Sequence, residues 1–270
     1  MTPQISDLVG GIIGNQIILG TNARGTIKKC QNGAEVECKA TKGGGIAGAS
    51  HANIYNCSNN ATVRGSNASN IGGIVGTIDN SGSVDSCTNS GSIYAGTSNY
   101  VGGIIGRMID ITSDGVTCSI TSCSNDGYVA GNNYVGGMAG SVEGFSEDWL
   151  IEVNSCINSS SVNSSDSYIG GIVGYISYGM VYSCSTEENE LYGLYYVGGI
   201  VGYATNALEL SYCSNYMYTN TDMDNPDMYV GGIVGCATTA ALYECYNYAE
   251  IMADYDDSLE EEEYYYDYDE

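Results

Sequence analysis

Short apolar segments, about three to a unit, alternate along the chain with clusters of Gly, Asn, Ser and Asp. Nowhere does a 3.6-residue amphipathic period persist for the ten or more residues of an ordinary helix, so the pattern predicts strands and turns. The pattern also repeats. A block of Gly-Gly, two apolar residues and a third Gly begins at Gly10, Gly44, Gly72, Gly102, Gly136, Gly170, Gly198 and Gly231, with steps of 34, 28, 30, 34, 34, 28 and 33 residues. In phase with it runs an aliphatic residue followed three positions later by Cys, as in Ile27/Cys30, Val84/Cys87 and Leu242/Cys245. Asn stands two residues after that Cys in seven of the eight copies, Thr186 being the exception, and Val or Ile stands six after it in six copies. Cys to the next Gly-Gly takes 13 to 15 residues in six of seven cases, whereas Gly-Gly to Cys takes 13 to 21, so length varies mainly at one corner.

One such unit cannot enclose its own apolar face, but units stacked in register cover one another, which is the logic of a solenoid. The expectation is an all-β chain, a parallel β-solenoid (β-helix) of about eight coils with roughly three short strands per coil, occupying residues 1–253. At about 4.8 Å per coil the rod is roughly 34 Å long. Gly-Gly marks a tight bend or a bulge. Strict alternation would put Val101 and Ile104 on opposite faces, and a bulge between them is the simpler way to bury both. Residues 254–270, with ten acids and five tyrosines and no base, read as a flexible acidic Tyr-rich tail. That tail lacks the spaced ligands of a calcium loop.

The recurring strings, such as Tyr100-Val-Gly-Gly-Ile-Ile-Gly106 followed by Ile120-Thr-Ser-Cys-Ser-Asn125, resemble the GLUG repeat of bacterial cell-surface and secreted proteins, among them some adhesins and IgA-specific metallopeptidases. The likeness covers about residues 8 to 251. It implies an extracellular or cell-surface origin within a longer chain, and a non-catalytic role for the repeats.

Charge narrows the partners. The 270 residues hold 32 acids against 7 bases, a net charge of −25, and all seven bases lie in the first 107 positions. A surface of that sign repels phosphate backbones and anionic lipid, so neither nucleic acid nor membrane insertion is expected. No apolar run approaches the roughly 18 residues that cross a bilayer. Met1-Thr-Pro-Gln lacks the basic and then apolar pattern of a secretory leader, so the chain reads as soluble, either intracellular or a piece of a longer secreted protein.

Four sets of residues carry candidate chemistry. Cys30, Cys57, Cys87, Cys123, Cys156, Cys184, Cys213 and Cys245 stack as an inward ladder whose rung spacing of about 4.8 Å exceeds a disulfide's Cβ separation, so they are expected reduced and in the core. Reduced thiols in a surface protein suit an anaerobic or cytosol-like setting. Cys38, Cys118 and Cys236 fall off the ladder and are open between exposed thiols and local partners. Zinc would need four convergent ligands, and with no C-x-x-C and only His51 neither metal nor cofactor is expected. The phased asparagines are expected in the turn after the Cys strand, left-handed, with amides bonded to backbone or to the next coil. Tyr100, Tyr134, Tyr168, Tyr196 and Tyr229 each precede [Val/Ile]-Gly-Gly and align as a stripe. Facing solvent, it would suit a glycan or another protein; packed under corner loops, it is structure with a wet hydroxyl.

Three function classes compete. The first is an extracellular rod, an adhesin stalk or interaction module. The second is a filament subunit that stacks on copies of itself through uncapped coil edges. The third, a polysaccharide-acting enzyme, needs paired acids at one phase, but the residues before each Cys (Lys29, Asn56, Ser86, Ser122, Ser155, Ser183, Tyr212 and Glu244) never supply two side by side. With no H-E-x-x-H either, no catalytic residues are expected.

Overall fold

The computed structural model describes residues 8–17, 25–39, 41–66, 68–79, 82–110, 118–147, 151–207, 209–222 and 228–254. The expected acidic tail thus lies outside the described residues, Asp254 excepted. All elements of the described residues are strands, arranged in five parallel sheets of eight strands each. A coil visits the five sheets in order. In the fourth coil the strands are Tyr100–Gly102, Ile105–Ile109, Cys118–Thr121, Ser124–Asn125 and Val129–Gly131. Each pairs with its counterparts one coil above and one below, so eight strands give seven inter-coil steps.

The coil therefore has five strands rather than about three. Two of the additions are split products of expected strands. The Gly-Gly block divides one apolar run into the first and second sheets, and the left-handed residue before each Cys divides another into the third and fourth. That residue has φ between 49° and 54° in all eight coils, from Lys29 to Glu244. The corner, not the residue type, sets this conformation, because Lys, Ser, Tyr and Glu all adopt it.

Gly-Gly is a bulged corner. The amides of Ile104 and Ile105 both donate to the carbonyl of Met138, at 3.0 and 2.9 Å, so two residues oppose one. Val101 and Ile104 are both fully buried as expected, but in different cores. Val101 packs with Ile71, Val129 and Val135 between the first and fifth sheets. Ile104 joins a larger cluster with Met108, Ile120 and Cys123. Each buried Val or Ile contributes about 1.5–3 kcal/mol of transfer free energy.

Between the two cores the cross-section is pinched by the asparagine ladder. Asn59, Asn89, Asn125 and Asn158 are buried inside the fourth sheet, not in a left-handed turn as the sequence reading expected. Each amide does make the two anticipated bonds. Asn125 Nδ2 donates to the Gly127 carbonyl and to Asn158 Oδ1, both at 2.8 Å, and Asn125 Oδ1 accepts from Asn89 Nδ2 at 2.8 Å. The second glycine of each pair makes room for it: a Cβ on Gly103 would lie 2.4 Å from Asn125 Cγ and 2.2 Å from the Gly137 carbonyl oxygen.

Candidate interaction face

Because strand residues alternate sides, burying Val101, Val135, Ile169 and Val197, and in part Val230, turns the preceding tyrosines outward. Tyr100, Tyr134, Tyr168, Tyr196 and Tyr229 then stack ring on ring. Successive centroids are 4.8, 4.6, 4.8 and 5.3 Å apart, with interplanar angles of 17°, 3°, 7° and 0°. Tyr134, Tyr168 and Tyr196 hold φ of 51°, 59° and 22°, a conformation that costs an L-residue about 1–2 kcal/mol. Stacking on two neighbours, at about 0.5–1.5 kcal/mol a pair, offsets this.

A second row runs beside the first on the second sheet. Tyr175 and Tyr203 stack at 6.0 Å, and their rings stand edge-on to Tyr134, Tyr168 and Tyr196 at 5.2 to 6.2 Å. Arg107 and Cys236 occupy the same register position as these two tyrosines. The Arg107 guanidinium lies 4.7 Å from the Tyr100 centroid and caps that end of the stack. It is held there by a bidentate pair with Glu143, at 2.8 and 2.7 Å. At the far end Tyr229 is 49% exposed, and an open cleft of about 540 Å³ is lined by Asp166, Ser167, Tyr195, Tyr196 and Tyr229.

The rings of Tyr100, Tyr134, Tyr168 and Tyr196 are half-buried, chiefly by one another, so their faces are used up within the stack. The half-exposed part is the column's side, at one ring per coil. Burial pushes the Tyr134 hydroxyl up to about 12 and raises those of Tyr168 and Tyr175. The phenols are neutral at ordinary pH, each able to donate and accept. Tyr175 and Tyr203 were missed at the sequence level. Their signal was present, since each directly follows the third glycine of its block.

None of the eleven cysteines is in a disulfide. Eight of them form the expected ladder between the third and fourth sheets, and in the inner coils each thiol donates to two carbonyls; Cys123 Sγ, for example, is 3.3 Å from the Thr121 oxygen and 3.7 Å from that of Val84. Burial raises the Cys184 and Cys245 thiols. Of the three off the ladder, Cys38 and Cys118 are buried, in the smaller and larger core respectively, and Cys236 is part-exposed. Among the described residues no three His, Cys, Asp or Glu side chains converge as metal ligands. At the phase before each Cys the sole acid is Glu244, on the last coil.

No protein-family model and no curated protein sequence matches the chain. Its fold is similar to that of a Bacteroides ovatus protein whose crystal structure is described as a "putative immunoglobulin A1 protease", with a TM-score of 0.56 and 17% identity over 84% of this chain and 67% of that one. At that identity the likeness establishes the shared β-solenoid architecture.

Proposed function

We propose that this chain is a non-catalytic repeat rod of the GLUG type, belonging to a bacterial surface or secreted protein, and that its tyrosine corner is an interaction face for a glycan or another protein. The observation that carries this reading is the five-ring stack walled by Tyr175 and Tyr203. Bulky side chains held at positive φ in three successive coils are a strained arrangement, and such strain concentrates where a surface is used. With ring faces occupied, recognition falls to the column's side and to the phenolic hydroxyls rather than to sugar stacking on an open ring. Tyr229 and the cleft beside it offer the one ring of the column with an uncovered face among the described residues.

The test is a glycan and protein binding screen with the wild-type chain and a Tyr134→Phe, Tyr168→Phe, Tyr196→Phe triple variant. Phenylalanine keeps the stack and deletes the hydroxyls, so the triple variant should keep the wild-type circular dichroism and lose the ligand. Binding unchanged in the triple variant, or no ligand for the wild type, would remove the proposal.

A further inference from the structure

We infer that the cysteine ladder is a binding site for soft monovalent metal ions, Cu(I) or Ag(I), held one between each pair of successive sulfurs along the axis. The site lies between the third and fourth sheets and uses nothing of the tyrosine corner.

The backbone places each sulfur over the next. Cys87 and Cys123 fall between two paired positions, Asp85 with Thr121 and Thr88 with Ser124. The same bracketing holds at every other step of the ladder. The inner thiols also share one orientation, each donating to the carbonyl two residues back and to one in the preceding coil. For Cys87 these are Asp85 and Ile54, and for Cys123 they are Thr121 and Val84, at 3.3 and 3.7 Å in both cases. Sulfurs one coil apart cannot bond to one another, since about 4.8 Å separates the rungs. A metal–thiolate bond is about 2.3 Å, so an ion in line between two sulfurs spans about 4.6 Å, which nearly fills that gap. Zinc closes with four convergent ligands, and among the described residues not even three converge. An ion content with two sulfurs in line needs only what the ladder offers, and soft thiolates select Cu(I).

Charge fixes the valence. An ion in a dry core must be neutralised where it sits. When one thiol gives its proton to water and bonds a monovalent ion, while the next sulfur lends it a lone pair, the charge of the core does not change. A divalent ion in every gap would add one uncompensated charge per coil. The amides of Cys30 and Cys57 already donate to the sulfurs of Cys57 and Cys87, both at 3.4 Å, and such a bond strengthens once the sulfur is a thiolate. The carbonyls that accept the S–H are released to face the cation. Access is short. The six thiols from Cys57 to Cys213 are at most 1% exposed, yet each follows an exposed corner residue, such as Ser86 or Ser122, so local opening of that corner admits an ion.

Native mass spectrometry of the full chain, titrated without oxygen with Ag(I) or Cu(I), tests this. The eight ladder sulfurs enclose seven gaps, so the wild type should take up seven ions and release about one proton for each. Its far-ultraviolet circular dichroism should not change, and X-ray absorption should show two sulfur neighbours per ion. Cys123→Ser keeps a hydroxyl for the same two carbonyls and removes the gap on either side, leaving five ions. Cys87→Ser combined with Cys156→Ser removes four gaps and leaves three. Cys236→Ser, off the ladder, should still take up seven. Thiol labelling of the wild type in denaturant needs no variant: loading should shield the ladder cysteines together and leave Cys236 reactive. No uptake, uptake only as the circular dichroism is lost, a Cys123→Ser variant that binds as many ions as the wild type, or Zn(II) bound in the same number would each overturn the inference.

Discussion

Replacing Asn125 by Ala cuts the amide ladder at its middle. Three hydrogen bonds are lost: the one accepted from Asn89 Nδ2, and those given to the Gly127 carbonyl and to Asn158 Oδ1. The site is fully buried, so water does not replace them, and at about 1 kcal/mol each the variant should be less stable by about 3 kcal/mol. The chain itself contains a graded control. Thr186 fills the same rung and donates Oγ1 to Asn215 Oδ1 at 2.7 Å, so Asn125→Thr keeps one donor to the next coil and should cost nearer 2 kcal/mol. Asn247 makes two of these three bonds, accepting from Asn215 Nδ2 and donating to the Ala249 carbonyl, but is exposed, and Asn247→Ala should cost less than about 1 kcal/mol because water takes its place. Urea unfolding followed by far-ultraviolet circular dichroism orders the three. Equal midpoints for Asn125→Ala and Asn247→Ala would refute the claim that the buried ladder, and not the turn it borders, stabilises the pinch.

Gly103→Ala should destabilise by at least about 1–3 kcal/mol, because its Cβ would meet backbone oxygen at 2.2 Å, whereas Gly96→Ala, with nothing within 4 Å, should be close to neutral; thermal melts compare them. Tyr134 has a folded pKa of about 12 against an ordinary 10.0, so the neutral phenol is the form the fold favours. Its contribution is complete below pH 10 and is lost as pH rises toward 12, which a stability series read alongside tyrosinate absorbance should show. Thiol labelling of the native chain should mark Cys236 well before Cys87, Cys123 or Cys156, as mass spectrometry would register. Arg107→Ala removes the bidentate pair and the cap on Tyr100 and should cost about 1 kcal/mol by denaturant unfolding, with Arg107→Lys recovering only part.

Periodicity made the stacked coil legible, along with the inward cysteines and the aligned tyrosines, because side chains at one phase must share one environment when coils superpose. The strand number was not legible. Ser124–Asn125 is a two-residue strand of polar residues, and no alternation can announce it. Local propensity also misled at the asparagines: Asn favours turns, but here a ladder of amides running from coil to coil outweighs that preference, while the left-handed corner falls on Lys29 and Ser122, which have little taste for it. The split into two cores was hidden because Val101 and Ile104 read as one hydrophobic run, and only the opposition of Gly103 to Asn125 separates them.

Since each strand pairs only with its counterparts in the coil before and the coil after, and every coil but that of Thr186 presents the same glycine, asparagine and cysteine rungs, the stacking sets no length of its own. Recombination between any two of the Gly-Gly blocks would delete or duplicate whole turns and still leave every surviving rung beside a like neighbour. The reach of such a protein is thus a quantity that a single genetic event can change, without a new residue having to be selected.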